Sequence, residues 1–108
     1  MNKVILMGRA THDPEIRYSQ GENATCVASF SIAVDRRVKT EGSDTADFFD
    51  CTAFGRLGEV FEKHVRKGTK MLIAGRLQND NYVNKDGVKV YRSRIIVDEF
   101  EFAESKKE

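Results

Sequence analysis

Side chains capable of covalent or metal chemistry are sparse in this sequence, and none stands at a working spacing. His12 lies in a turn-rich stretch, and His64 lies on an apolar helical stripe where packing accounts for it better than ligation. Cys26 and Cys51 form no Cys-x-x-Cys motif, and each sits inside an apolar run. No Gly-x-Ser-x-Gly elbow, Walker loop or dinucleotide fingerprint occurs, and Asp47 with Asp50 is at best a chance pair of carboxylates. The expectation is a protein that is not an enzyme, with no catalytic residue, metal or cofactor. A different chemistry is better represented. Phe48 and Phe54 stand on the partly polar parity of one strand, Tyr82 and Tyr91 flank a turn, and Arg92 and Arg94 share one parity of the return strand. Flat rings stack on the π-faces of unpaired bases while Arg and Lys neutralise phosphates, so this mixture suits single-stranded nucleic acid. Six residues separate Phe48 from Phe54. That is up to ~20 Å along a strand, so the two rings would meet different bases. The competing explanation is that some rings are core or subunit contacts.

The elements that must hold these side chains are mostly strands. Residues 3–9 are apolar on both parities, Val4 and Leu6 on one and Ile5 and Met7 on the other. Such a strand is either covered by a second copy of the chain or buried inside its own barrel. Residues 10–23 carry turn chemistry in Asp13-Pro14 and Gly21. From Ala24 to Val34 every even position is apolar and most odd ones are small or polar, which predicts one core face and one smooth outward face. In 47–54, Phe49, Cys51 and Ala53 form the core parity and Phe48, Asp50, Thr52 and Phe54 the other. Residues 56–66 form the one helix, with Leu57, Val60, Phe61, His64 and Val65 on a stripe and Arg66-Lys67-Gly68 as its stop. A strand follows over 69–77, then a hairpin over 81–97 around Asn84-Lys85-Asp86-Gly87. A symmetric turn there makes Tyr91 the diagonal neighbour of Tyr82. Five or six strands with one helix used as a plug after the third predict an all-β fold, a small closed barrel.

The 108 residues are enough for one domain and one core. With 40% hydrophobic and 32% charged residues the chain is expected to fold, and no apolar run approaches the ~18 residues of a membrane span. The start, Met1-Asn2-Lys3 and a short apolar run, lacks the length and cleavage site of a signal peptide. Cysteines embedded in apolar runs predict reduced thiols and a cytoplasmic setting, with a single Cys26–Cys51 disulfide as the alternative. The net charge of +1 hides an asymmetry: residues 1–97 carry four more cations than anions, and residues 98–108 three more anions than cations. A mildly basic body is compatible with nucleic acid.

Several stretches together resemble the bacterial single-stranded DNA-binding protein family. They are Asn2-Lys3-Val4-Ile5-Leu6-Met7-Gly8-Arg9, Asp13-Pro14-Glu15-Ile16-Arg17-Tyr18, Ala46-Asp47-Phe48-Phe49-Asp50-Cys51, Phe54-Gly55-Arg56-Leu57, and Arg66-Lys67-Gly68 leading to Gly75-Arg76-Leu77. The resemblance runs from Asn2 to about Phe102. It implies an OB-fold, a five-stranded Greek-key barrel with one helix after the third strand and a long hairpin between the fourth and fifth. It also implies a homotetramer that binds single-stranded DNA without regard to sequence during replication, recombination and repair, in the bacterial cytoplasm or nucleoid. Carried over residue by residue, the stackers are Phe48, Phe54 and Tyr82, and the phosphate contacts Lys3, Arg17, Arg56 and Lys67. Arg37, Lys39, Arg76, Tyr91, Arg92 and Arg94 are secondary candidates. The expected domain is 1–103, with 104–108 a short charged end. Three departures stand out: Val38 where the family places an aromatic residue, a weakly basic Gln78-Asn79-Asp80-Asn81, and Asp50 where a cation can occur. The sequence as given also ends without the family's linker and acidic tip. The expectation is a tail-less or truncated form, or a phage or plasmid version, in which recruitment of replication and repair proteins through that tip is unsupported. An RNA-binding OB module and an oligomerising protein-interaction module remain open as alternatives.

Overall fold

Alternation along the chain decides which side chains enter the core. The computed structural model describes residues 1–21, 24–38, 42 and 45–103. Long strands run through β1 (Val4–Ala10), β3 (Cys26–Asp35), β4 (Ala46–Phe54) and β5 (Lys70–Asn79), with a short β2 (Glu15–Tyr18) between the first two. The helix α1 (Arg56–His64) follows β4, and the short β6 (Tyr82–Val83) and β7 (Lys89–Val90) lead into β8 (Ser93–Phe102). In β3 the even positions Cys26, Ala28, Phe30 and Ile32 are buried while the odd ones are half-exposed, as the periodicity predicts.

The main sheet runs β1-β5-β8-β4-β3-β2, and an additional β1–β3 pairing through Arg9–Ala33 and Ala10–Ile32 closes five of these strands into a ring. β4 and β8 lie parallel, and the other pairs are antiparallel. This is the OB-fold barrel, with its helix in the connection between the third and fourth barrel strands. Phe61 of α1 plugs the ring, its centroid 4.7 Å from both Phe30 and Phe100. Two glycines permit the close strand crossings. A Cβ on Gly8 would lie 2.2 Å from the Ala33 carbonyl oxygen, and one on Gly75 would lie 2.0 Å from that of Ile96. Gly75 also sits at the irregularity where the β5–β8 register shifts past Asp98, a bulge that bends the barrel wall.

Several expectations need correction. The stretch read as turn chemistry contains β2, because the chain re-pairs with β3 after Pro14 through Ile16–Ala28. The hairpin tip forms its own small ribbon of β6 and β7, so eight strands are described where five or six were expected. The helix stops at His64, two residues early: Val65 turns to an extended conformation that buries its side chain, and Gly68 N–H donates to the Ala10 carbonyl. His64 is exposed rather than packed in the core, its ring edge-on to Phe102 at 6.4 Å. The second apolar parity of β1 is not inside its own barrel. Val4 and Leu6 pack on the core, whereas Ile5 and Met7 are 60% and 51% exposed. Residues 104–108 lie outside the described residues.

A methyl group at position 75 has only backbone to displace, the Ile96 carbonyl and the Val97 Cα. Gly75→Ala should therefore cost about 1–3 kcal/mol, as overpacking does, and lower the melting temperature by several degrees in a thermal scan. An unchanged melting temperature would contradict the close crossing.

Candidate nucleic-acid interface

The outward face of β3 and β4 carries two of the rings that the sequence singled out, Phe48 and Phe54. Phe49, Cys51 and Ala53 turn toward the core, and this fixes the register that presents Phe48 and Phe54 outward, 67% and 44% exposed. Cross-strand pairing sets the rows of this face. Phe54 stands beside Val27, which stands beside Arg17 of β2; Thr52 is beside Ser29, Asp50 beside Ser31, and Phe48 beside Ala33. The small residues of β3 leave a smooth floor between the two rings. Ser31 Oγ donates to Asp50 Oδ1 at 2.9 Å, so the middle of the floor is polar and carries a carboxylate.

The long β5–β8 hairpin makes a wall beside this floor. An open groove of ≈ 300 Å³ lies between them, lined by Ser29, Ser31, Asp50 and Thr52 on one side and Asp80, Arg92 and Arg94 on the other, with His12 and Glu15 also bordering it. Thr52 is only 2% exposed although it belongs to the outward parity. Its Oγ1 accepts a hydrogen bond from Arg94 Nη1 at 3.1 Å. Arg92 bonds Asp80 with Nη2 at 2.8 Å and Nε at 3.0 Å, and its guanidinium lies 5.0 Å from the Tyr82 ring centroid.

The expected positions do not all converge. Arg17 shares a row with Phe54, and Arg56 opens α1 two residues beyond it. A cation there opposes the helix dipole, so helix stability does not explain it. Lys3 precedes β1, and Lys67 sits beside Gly68 at the other end of that strand, its backbone N–H donating to Asp13 Oδ1. These two flank β1 rather than joining the rings. Arg37 is exposed just past β3, Arg76 is paired with Asp98 at 3.5 Å, and Val38 offers an exposed aliphatic side chain in place of a ring. Lys39 lies outside the described residues. Tyr91 is not the diagonal neighbour of Tyr82. The pairs are Tyr82–Val90 and Val83–Lys89, so Tyr91 faces the opposite side of the ribbon with Lys89 Nζ 5.2 Å from its ring. The cause is Gly87 at φ +79°, which makes the turn a three-residue loop with a bulge and moves the register by one.

The profile described as "Single-strand binding protein family" matches residues 1–103. The chain belongs to that family. Relatives include the "Single-stranded DNA-binding protein" of Clostridium perfringens, 40% identical over 105 residues that cover 97% of this chain and 67% of the relative. "Single-stranded DNA-binding protein 3" of Clostridium acetobutylicum is 43% identical over 104 residues, 96% of this chain and 72% of that one. The "Single-stranded DNA-binding protein" of Lactiplantibacillus plantarum is 41% identical over 109 residues, all of this chain and 54% of its own length. The chain thus spans between about half and three quarters of these relatives.

Within this single-strand binding protein family domain, electrostatics are set by ion pairs near the face. Arg36 bonds Asp47 at 2.8 Å and, mainly through those hydrogen bonds, holds its carboxyl below the usual carboxylate range. Burial pushes the Cys51 thiol up to about 12 and raises that of Cys26 as well, so neither is poised as a nucleophile. Among the described residues no group of His, Cys, Asp or Glu could hold a metal ion, and no helix is long and apolar enough to cross a membrane. Sequence reasoning missed Asp80 as a partner of Arg92 and Arg94. The signal was present: once the turn is counted with its bulge, Asp80 falls opposite Arg92.

Proposed function

We propose that this chain binds single-stranded DNA without regard to sequence, and that residues 1–103 are the domain that does so. The observation that carries the reading is the solvent-facing pair Phe48 and Phe54 on the floor of an OB barrel, the face and fold that grip oligonucleotides elsewhere. Phe48, Phe54 and Tyr82 act as stacking platforms. A base has a π-face whatever its identity, so each platform contributes ~1–3 kcal/mol with little sequence preference. Arg17 and Arg56 beside Phe54 take the backbone phosphates there, and Lys3 and Lys67 extend the track around β1. Arg37, Lys39, Arg76, Tyr91, Arg92 and Arg94 supply secondary contacts. Coating of exposed strands in this way serves replication, recombination and repair. Free, buried Cys26 and Cys51 fit a reducing compartment, the bacterial cytoplasm or nucleoid.

The chain assembles with copies of itself, as a homotetramer, in this reading. Ile5 and Met7 support it: they stand exposed on the outer face of β1, next to Ala74 and Leu72 of β5, and an apolar patch of this kind is suited to a second copy.

Phe48→Ala and Phe54→Ala should each weaken poly-dT binding by about 1–3 kcal/mol and shift folding stability by no more than ~0.5 kcal/mol. Arg56→Ala should flatten the plot of log affinity against log salt by about 0.7. Titrations of labelled poly-dT at several salt concentrations check both, and unaltered affinity in the two Phe variants would remove the stacking assignment. The same titration with poly-U separates a DNA binder from an RNA module. Ile5→Asp should reduce the mass measured by light scattering while circular dichroism stays native. A wild-type chain that is monomeric, or a variant of undiminished mass, would contradict assembly through β1.

A further inference from the structure

The hairpin arginines are not free to meet a phosphate. Arg92 grips Asp80 through two nitrogens that converge on one oxygen, Nη2 at 2.8 Å and Nε at 3.0 Å from Oδ2, a charge-assisted contact that a phosphate oxygen can take over. Arg94 Nε, shut off from solvent, has no hydrogen-bond partner among the described residues and faces the same Asp80 Oδ2 at 3.8 Å. Asp80 is also placed by the backbone: its N–H donates to the Arg92 carbonyl at 2.9 Å, and Asn81 Oδ1 receives the Arg92 N–H at 3.1 Å. The guanidinium so held lies against Tyr82, covering a ring face that a base would use. The groove below holds three carboxylates, Asp80, Asp50 and Glu15, against the two guanidiniums. As it stands, this part of the interface does not attract an anion.

We propose that Asp80 is an internal stand-in for phosphate: its carboxylate occupies Arg92 and keeps it over Tyr82, so that DNA engages this part of the hairpin only by displacing it. The inference rests on the reading of the chain as a single-stranded DNA binder and names a residue that tunes it. No covalent step is involved, only exchange of one anion for another. Both partners of the Arg92–Asp80 pair are partly exposed, at 51% and 27%, and such pairs hold weakly. Exchange is therefore feasible, and Asp80 acts as a threshold rather than a lock.

The test compares the full chain with Asp80→Asn and with the double variant Asp80→Asn/Arg92→Gln, each titrated with labelled poly-dT across a salt series. Asparagine matches aspartate in shape and leaves the backbone bonds in place. Asp80→Asn should bind about 2- to 5-fold tighter, the range a partly exposed ion pair sets, and steepen the salt slope by about 0.7 for each phosphate gained. The double variant should lose that gain. Binding by Asp80→Asn that is equal or weaker makes Asp80 a mere support for Arg92 and overturns the proposal, as does a gain that survives Arg92→Gln. A wild-type chain that ignores poly-dT defeats the DNA-binding reading itself, and the role of Asp80 with it.

Discussion

One constraint organises this molecule: a strand has two faces, and β4 sits in the wall of a closed barrel where the inner face is already committed. Phe49, Cys51 and Ala53 fill that inner face, so Phe48 and Phe54 have nowhere to turn but outward. A slip of one residue would bury the rings and expose the core set, which the apolar interior forbids. Leaving a ring in water forgoes ~1.5–3 kcal/mol that burial would have contributed. Folding alone does not account for two such rings on one strand.

The rest of the fold keeps that face flat and open. Phe61 closes the barrel from inside, its ring tilted against those of Phe30 and Phe100, so the wall needs no bulky residue on its outer side. β3 supplies Val27, Ser29, Ser31 and Ala33 as the floor, and β2 adds Arg17 in the row of Phe54. The hairpin rises beside them on β5 and β8, anchored through Arg94 to Thr52. Thr52 sits on the outward parity and is nonetheless buried, so Arg94 belongs to the architecture of the groove as well as to its charge.

Much of this is legible in the sequence alone. The alternation in β3 and β4 named the core parity residue by residue, and the polar neighbours of Phe48 and Phe54 marked them as misplaced for a core. What failed did so for local reasons. Pro14 and Asp13 read as turn chemistry and concealed β2, because four residues are too few to show a period when the pairing partner is unknown. The helix ended early because Val65 gains more by entering the core extended than by continuing the helix. A symmetric turn puts Tyr91 on the wrong side of the hairpin, because one glycine at positive φ changes the count across it. That same glycine conceals the pairing of Asp80 with Arg92. Whether Ile5 and Met7 faced inward or outward was undecidable from a strand apolar on both parities.

The account stands or falls on where unpaired DNA touches the surface. Ultraviolet cross-linking of a bromodeoxyuridine-substituted oligonucleotide, with the linked residues located by mass spectrometry, reads this directly. Links concentrated on Phe48, Phe54 and Tyr82 are the expected result. Links confined to the outer face of β1 and β5, around Met7 and Leu72, would contradict it.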